Sequence, residues 1–470
     1  MNRNFNSLSS VLIRKDQTAT MCRKEGIDIN WEKFLSDIKK LYLELDTKPA
    51  HHKYLVYCKS SYQFAVALFA VWQRGAVCVL PPNNSKEVLK RFKNYADAFI
   101  TDQADGYTGL MTIAPLQNGR EESEKLNPLP ENEVLLELFT SGTTGERKCV
   151  RKTIANLNSE LRVLNDTFGS VLENARTFST VSHQHIYGLL HKILLPVCTN
   201  RMFIDETYFY PEKLLADMND GQRENVLISG PAHLKLIPEL VNLGAMSKFC
   251  QAIFSSGSLL DTESAHKFSS QSGIIPIEVL GSTETGGVAW RRQSSTADSE
   301  KWSPFQSVEV KKNEDGFLQV KSPFIYHEEC PDQWFTMGDI VDISNDNRFY
   351  LYGRGDRIVK IGEKRVSLEE MEKIVKTFPN VNSCKIIPIT RNNGNFARTV
   401  LACVVETREP VNRKESKFVV DQFKLQLLQY FAQILVPKYW RFVSKIPLDS
   451  QGKTSVEEIK KLFTTWTGNV

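Results

Sequence analysis

Leu138-Phe139-Thr140-Ser141-Gly142-Thr143-Thr144-Gly145-Glu146-Arg147-Lys148 is the stretch on which the reading of this chain turns. The apolar run Val134 to Phe139 predicts a strand, and the strand empties into a loop of small hydroxyl residues and glycines. Glycines let a backbone approach a polyphosphate closely, successive amides and hydroxyls can donate to its oxygens, and a following cation such as Lys148 can neutralise charge. The GxxxxGK[ST] spacing of a Walker loop is absent. Taken alone, a Ser/Thr/Gly loop of this kind is more often an ordinary turn.

The same grammar extends outward from the loop. Tyr62 to Trp72 is apolar on nearly every face, as a helix buried against a sheet would be, and Gly75, the run Ala76 to Leu80 and Pro81-Pro82 read as cap, buried strand and stop. A helix is expected from about Ala155. Strands are expected at Asn225 to Ser229 before Gly230-Pro231, at Ala252 to Ser255 before Gly257, and at Ile277 to Leu280 before Gly281. Ligands of open α/β sheets bind beyond the carboxyl ends of the strands, so these small-residue loops should gather at one site. From Val308 the texture changes to short alternating strands, at Val308 to Val310, Phe317 to Val320, Ile340 to Ile343 and Phe349 to Tyr352. Ser367-Leu368-Glu369-Glu370 then reads as a capping box opening a helix through about Lys376, followed by strands near Cys384 to Ile387 and Val400 to Val405 and a helix near Val419 to Ala432. The fold class is therefore α/β: a large N-terminal domain of αβ layers with a β subdomain over 1–353, a connecting segment at 354–357, and a small α+β C-terminal domain over 358–470.

Composition narrows the class. At 470 residues and 41% hydrophobic, the chain is globular and long enough for a large domain plus a smaller one. No apolar run approaches the roughly 20 residues needed to span a bilayer, and the opening stretch has no signal-peptide core, so a cytoplasmic protein is expected. Nine cysteines, with no CxxC pair among them, argue against a disulfide framework or a zinc site. From Arg357 onward 20 Lys/Arg stand against 11 Asp/Glu, a net of +9, which leaves −5 for the preceding part of a chain whose total is +4. A basic tail segment suits an acidic partner, either a phosphorylated ligand or an acidic protein, as well as it suits a merely solvated face. Zinc-finger spacing, a basic zipper region and an aromatic RNA-binding signature are all missing, so no nucleic-acid partner is expected.

Five motifs, in order, resemble those of the AMP-forming adenylating superfamily, which contains acyl- and aryl-CoA synthetases, peptide-synthetase adenylation domains and firefly-type luciferases. The resemblance runs from about Tyr62 to Lys453. It implies that Thr140, Ser141, Gly142, Thr143, Thr144, Gly145 and Lys148 hold the phosphates of ATP. In Gly281-Ser282-Thr283-Glu284-Thr285-Gly286-Gly287 it implies that Thr283 touches the α-phosphate and Glu284 holds the magnesium ion, with Gly281 and Ser282 beside the nucleotide. Leu280 departs from the family, which commonly has an aromatic residue there against adenine. Asp339 of Met337-Gly338-Asp339 would accept both ribose hydroxyls. Gly353-Arg354-Gly355-Asp356 would be the hinge of a mobile small domain, with Asp356 the pivot and Arg354 on ribose or phosphate. Pro447-Leu448-Asp449-Ser450-Gln451-Gly452-Lys453 would deliver Lys453 as the catalytic cation bridging the attacking carboxylate and the α-phosphate.

On the acyl side, Val181 to Leu189 resembles the family's His-x-x-Gly segment, which places His185, with His183 as runner-up, at the mouth of the acyl pocket. Gly257 of Ser255-Ser256-Gly257-Ser258 would lie closest to the ligand. The implied activity is ATP- and Mg2+-dependent conversion of a carboxylic acid to acyl-AMP, followed by transfer to a thiol presented near Gly362. The chain looks most similar to compact bacterial synthetases that load acyl or aryl carrier proteins. Free CoA as acceptor is the alternative. A non-catalytic nucleotide-binding member of the fold, and a member that passes the acyl-AMP to an amine or oxidises it, are the further ones.

Overall fold

The computed structural model describes residues 5–13, 19–46, 52–84, 86–103, 109–116, 125–140, 148–220, 224–294, 300–330, 333–361, 364–393, 396–412, 415–448 and 454–464. The chain forms two compact units. The first takes Met1–Lys312, Gln319–Thr336 and Ile343–Tyr350, and the second takes Asn313–Leu318, Met337–Asp342 and Leu351–Val470.

In the first unit two strands open the chain, β1 (Thr20–Lys24) and β2 (Ile27–Asn30). They are followed by β3 (Lys53–Tyr57), β4 (Val77–Leu80), β5 (Ala98–Thr101), β6 (Met111–Ile113), β7 (Val134–Thr140) and β8 (Lys148–Thr153). Next come β9 (Arg176–Ser179), β10 (Phe203–Ile204), β11 (Asn225–Ser229), β12 (Cys250–Ser255), β13 (Ile277–Ser282), β14 (Gly286–Arg292) and β15 (Ser303–Pro304). Strands β3 to β8 make a six-stranded sheet of order β6-β5-β3-β4-β7-β8, parallel except for β8. The remainder make a nine-stranded sheet of order β15-β14-β13-β12-β11-β9-β10-β1-β2, whose middle, from β13 to β1, is parallel. In the first sheet order reverses beside β3, and in the second between β9 and β11. Loops after those strands therefore flank a topological switch point, the usual position of a ligand crevice.

Helices cover these sheets for reasons visible in their residues. Ser61–Gln73 is buried along almost its whole length; Ser60 Oγ accepts from Gln63 N, and Trp72 Nε1 donates to Leu135 O of β7 at 2.8 Å. Ile154–Leu172 begins at a capping box, in which Thr153 Oγ1 accepts from Asn156 N and Asn156 Oδ1 accepts from Thr153 N, both at 3.1 Å. A helix after the Gly/Thr loop was the expectation from sequence; in the structure β8 intervenes. Strand β7 is thus followed in the chain by its antiparallel partner β8, and only then by the helix.

The second unit has its own core, in which Met371, Val375, Ile386, Cys403, Val405, Phe423, Leu427 and Trp440 pack together. A long antiparallel hairpin, Val381–Asn393 with Phe396–Thr407, is joined in parallel by Tyr439–Val443. Leu368–Lys376 starts where Ser367 Oγ accepts from Glu370 N at 3.2 Å. Buried Glu372 on that helix ties it to the hairpin, accepting from Ile386 N at 2.6 Å and from Arg357. Gly353 sits at φ +122, a backbone conformation that favours glycine.

Candidate active site

Thr140 and Lys148 are register partners, the last residue of β7 beside the first of β8. Ser141, Gly142, Thr143, Thr144 and Gly145 lie outside the described residues, and of Thr140 only the backbone is described. Lys148 Nζ reaches within 3.4 Å of Glu284 Oε1 and stands 5.1 Å from the centre of the Phe335 ring. Two motifs separated by more than a hundred residues thus meet as a cation beside a carboxylate.

Glu284 sits at the tip of the β13-β14 hairpin. Gly281 pairs with Gly287 and Ser282 with Gly286, leaving Thr283-Glu284-Thr285 as the turn. A Cβ on Gly281 would lie 2.3 Å from Gly286 O, so the close crossing needs glycine. Within the turn, Ser282 Oγ accepts from Thr285 N at 3.1 Å and lies 3.0 Å from Thr285 Oγ1, which is fully buried. Two buried charged residues then clamp the turn from outside. Lys152 Nζ donates to Glu284 O at 2.8 Å and to Phe324 O at 2.6 Å, and Glu160 Oε1 accepts from Gly287 N at 2.6 Å. Burial raises the Glu160 carboxyl above the ordinary range, against the charge of Lys152, which lowers it.

Around the switch point of the nine-stranded sheet, His183 and His185 have different environments. His183 is buried, with Nδ1 3.0 Å from Ser61 Oγ and Nε2 3.0 Å from Cys58 O, and its ring 4.6 Å from that of Phe64. Burial pushes its pKa down to about 3, so the ring is neutral. It joins the loop after β9 to the loop after β3, and so brings the switch points of the two sheets together. His185 is half-buried and begins the turn Ile186–Gly188. Gly188 is wedged against the preceding segment, where an added Cβ would lie 2.1 Å from Ser182 O. Lys192 is entirely buried one turn later, donating to Asp205 O at 3.3 Å, Glu206 O at 3.0 Å and Thr207 Oγ1 at 2.9 Å. Asp205 Oδ1 in turn accepts from Ser60 Oγ and Tyr62 N, both at 2.7 Å, and fixes the start of the helix beside His183.

Gly257 is exposed at φ +92, just past β12, and Ser256 Oγ donates to Val279 O at 2.8 Å. The loops after β9, β11, β12 and β13 therefore share the carboxyl edge of the sheet. In the second unit Asp339 is buried and Arg354 Nη1 lies 3.9 Å from Asp339 Oδ2. Lys453 and Gly362 lie outside the described residues, as does the side chain of Asp356.

A cleft of about 940 Å³ lies at the opposite, amino-terminal edge of the nine-stranded sheet. Its arginines are engaged there in structure: Arg176 with Asp220 and with Asn225 Oδ1 at 2.8 Å, and Arg201 with Thr199 Oγ1 at 2.7 Å and Leu172 O at 3.1 Å. The candidate site is accordingly placed at the carboxyl edge, where Lys148, Thr283 and Glu284 converge.

Sequence reasoning missed Lys152, Glu160 and Lys192. All three carried a signal. Lys152 shares strand parity with buried Val150, and Glu160 lies on the apolar helix face of Leu157, Leu161 and Leu164. An ionisable group on a buried face needs partners, and both have them. Lys192, within the apolar run Leu189 to Leu195, is a third example of the same signal.

Among known proteins, residues 15–316 match a family model described as AMP-binding enzyme. The malonate–CoA ligase of Arabidopsis thaliana is 21% identical over 86% of this chain and 77% of its own length. The D-alanine–D-alanyl carrier protein ligase of Staphylococcus epidermidis is 23% identical over 75% of this chain and 76% of its own. The ATP-bound crystal structure of MatB from Rhodopseudomonas palustris superposes with a TM-score of 0.83, at 18% identity, over 98% of this chain and 99% of its own, a likeness of fold.

Proposed function

We propose that this chain, which belongs to the AMP-binding enzyme family, is an adenylating acid–thiol ligase. It would convert a carboxylic acid and ATP to acyl-AMP and pyrophosphate, and then pass the acyl group to the phosphopantetheine thiol of an acyl or aryl carrier protein. The observation that carries the reading is the 3.4 Å approach of Lys148 to Glu284 at the carboxyl edge of the sheets. Anion-neutralising and cation-holding groups are thereby combined in one place, as a metal–polyphosphate requires.

The donor set fits magnesium that arrives with the nucleotide. Glu284 is a single hard-oxygen ligand flanked by the hydroxyls of Ser282 and Thr283, and no cluster of three or more ligating side chains occurs among the described residues. Magnesium usually keeps several waters and takes one or two carboxylates plus phosphate. Once bound, it would neutralise the charge that builds on the departing phosphates.

In the first half-reaction a carboxylate oxygen of the acid attacks the α-phosphorus, a new O–P bond forms, and the bond to the β-phosphate oxygen breaks as pyrophosphate leaves. Lys148 and the Thr140 to Gly145 loop bind the leaving phosphates, Thr283 donates to the α-phosphate, and Lys453 bridges carboxylate and phosphate. Asp339 and Arg354 hold the ribose side, Gly257 and Gly281 allow close approach, and His185 orients the acid. In the second, the acceptor sulfur attacks the acyl carbon and AMP departs with the bonding pair. A hinge at 354–357, pivoting on Asp356, would let the small domain serve both steps in turn. Support for a carrier protein as acceptor comes from the +9 of the segment beginning at Arg357 and from the carrier-protein ligase among the relatives. The reading is tested by acid-dependent pyrophosphate release across aliphatic and aromatic acids, with carrier protein and CoA compared as acceptors. No release with any acid, or an undiminished rate in Lys453→Ala, would refute it.

A further inference from the structure

Two of the side chains that line the cleft at the amino-terminal edge of the nine-stranded sheet are polar and nine-tenths buried, Asn165 at 5% and Arg201 at 8% of full exposure. Asn165 lies on the inward face of the helix Ile154–Leu172, the face of Leu161 and Phe168. Its amide finds no hydrogen-bond partner among the described residues, and Gly169, one turn further along, lines the cleft without a side chain to cover it. Arg201 is short of partners in a different way. Nε donates to Thr199 Oγ1 at 2.7 Å and Nη1 to Leu172 O at 3.1 Å, but Nη2 is buried without a partner. Arg176, on the same wall, has Asp220 to neutralise it, whereas no carboxylate pairs with Arg201 among the described residues. Burial lowers the Arg201 pKa to about 10, opposed only by the Cys198 thiol, so the group stays a cation at neutral pH. Behind it Thr177 Oγ1 and His191 Nε2, also buried without partners, line a small void with Arg201. A buried guanidinium without a counter-charge, beside an amide without a hydrogen bond, lowers stability. An apolar residue at either position would avoid that cost.

We propose that this cleft is a second ligand site, for a small monoanionic carboxylate whose charge lies against Arg201 and whose hydroxyl or amino substituent bonds to the amide of Asn165. A volume of about 940 Å³ admits such a molecule. The exposed charges narrow the choice of anion. Glu173 and Glu224 line the cleft together with Lys248, so its outer part is not cationic and repels a polyphosphate, while the buried guanidinium leaves one positive charge for one negative one. Strands β9 and β11 run four and five residues from this edge to the loops of His183 and Gly230. That is about 15 Å, so a molecule bound here touches none of the groups at the carboxyl edge. The site is therefore independent of the adenylation reading.

The test uses the full chain without nucleotide and a panel of glycerate, lactate, L-serine and L-threonine, with glycerol as the neutral comparison. Binding is read by isothermal titration and by the shift of the unfolding midpoint. At least one of the carboxylates binds the wild type and raises its midpoint, and glycerol binds at least about tenfold more weakly. Asn165→Leu keeps or raises the midpoint of the free protein, because an unpartnered amide is removed, and weakens carboxylate binding about tenfold or more. Arg201→Met abolishes the binding; because it also loses the bonds to Thr199 and Leu172, Asn165→Leu decides alone if that variant does not fold. His185→Ala, at the opposite edge, binds as the wild type does, which separates the cleft from the acyl side. If none of the four carboxylates binds the wild type up to about 10 mM, the proposal falls. Equal binding by the wild type and Asn165→Leu, or glycerol bound as tightly as glycerate, overturns it too. Loss of binding in His185→Ala would move the ligand to the acyl side and overturn it as well.

Discussion

Replacing Lys152 by Met tests whether the buried clamp holds the Glu284 turn. Lys152 is 1% exposed and donates at 2.8 and 2.6 Å to two carbonyls. Hydrogen bonds from a charged donor contribute roughly 1.5–3 kcal/mol each, offset in part because the ammonium is no longer buried. Removal also strands Glu160, whose compensating cation is gone, and breaking a buried pair from one side costs roughly 3–5 kcal/mol. Lys152→Met should therefore destabilise the first unit by about 3 kcal/mol at neutral pH. The penalty should depend on pH with a definite sign. The Glu160 carboxyl is already raised by burial, and loss of Lys152 raises it further. A folded-state pKa above the unfolded one gives stability that is full at low pH and lost as pH rises through the folded value, so the variant should be less impaired at pH 5 than at pH 8. Urea unfolding followed by tryptophan fluorescence, at both pH values, measures this. Combining Lys152→Met with Glu160→Gln should cost less than the two single changes together, by about 1–2 kcal/mol, since neither buried charge is then left alone. Pyrophosphate exchange in the single variant should fall about tenfold or more, equivalent to about 1.4 kcal/mol in the transition state. Strictly additive single effects, or undiminished exchange, would refute the clamp.

Four further outcomes follow from the same geometry. Glu284→Gln should raise the Mg2+ concentration for half-maximal exchange by about tenfold and weaken binding of Mn2+ with ATP in an electron paramagnetic resonance titration, with the KM for the acid unchanged. Gly188→Ala places a methyl group on the Ser182 carbonyl and should cost about 1–3 kcal/mol in urea together with a higher KM for the acid. Burial holds His183 near 3 and His191 near 4, below the ordinary 6.5. Stability should accordingly be full above about pH 6.5 and fall as pH drops toward these values, by up to about 1.4 kcal/mol per pH unit for each ring; His183→Gln should make the decline shallower in an acid titration. Lys453→Ala should abolish acid-dependent pyrophosphate release while leaving the unfolding midpoint in place, and equal release by the variant would exclude this lysine from the chemistry.

The alternation of apolar runs with small-residue loops was enough to establish the fold class, because a strand buried on both faces must be apolar throughout and must end in residues that allow a tight exit. Asn225–Ser229 begins and ends in the structure where that argument put it, and Ser61–Gln73 extends one residue beyond the predicted helix at each end. Local sequence was silent on β8, since Lys-Cys-Val-Arg-Lys-Thr has the charge content of a surface loop. Only pairing with β7 and burial of Lys152 against carbonyls from distant segments make it a strand. The motif order identified the family, and it singled out Lys148 and Glu284 without indicating that they would meet at 3.4 Å. That distance is produced by two antiparallel strand pairs from different sheets, and sequence separation carries no information about it. The two histidines show the same division. Both match the acyl-side segment by spacing, but only the packing of the loop after β9 on the loop after β3 decides that His183 is consumed by Ser61 and Cys58 while His185 stays half-exposed. Residue types and their periodicity thus determined which elements form. The burial of each ionisable group, and with it the division between supporting and ligand-facing residues, was decided by the closing of the sheets on one another, because desolvation belongs to the surroundings and not to the residue.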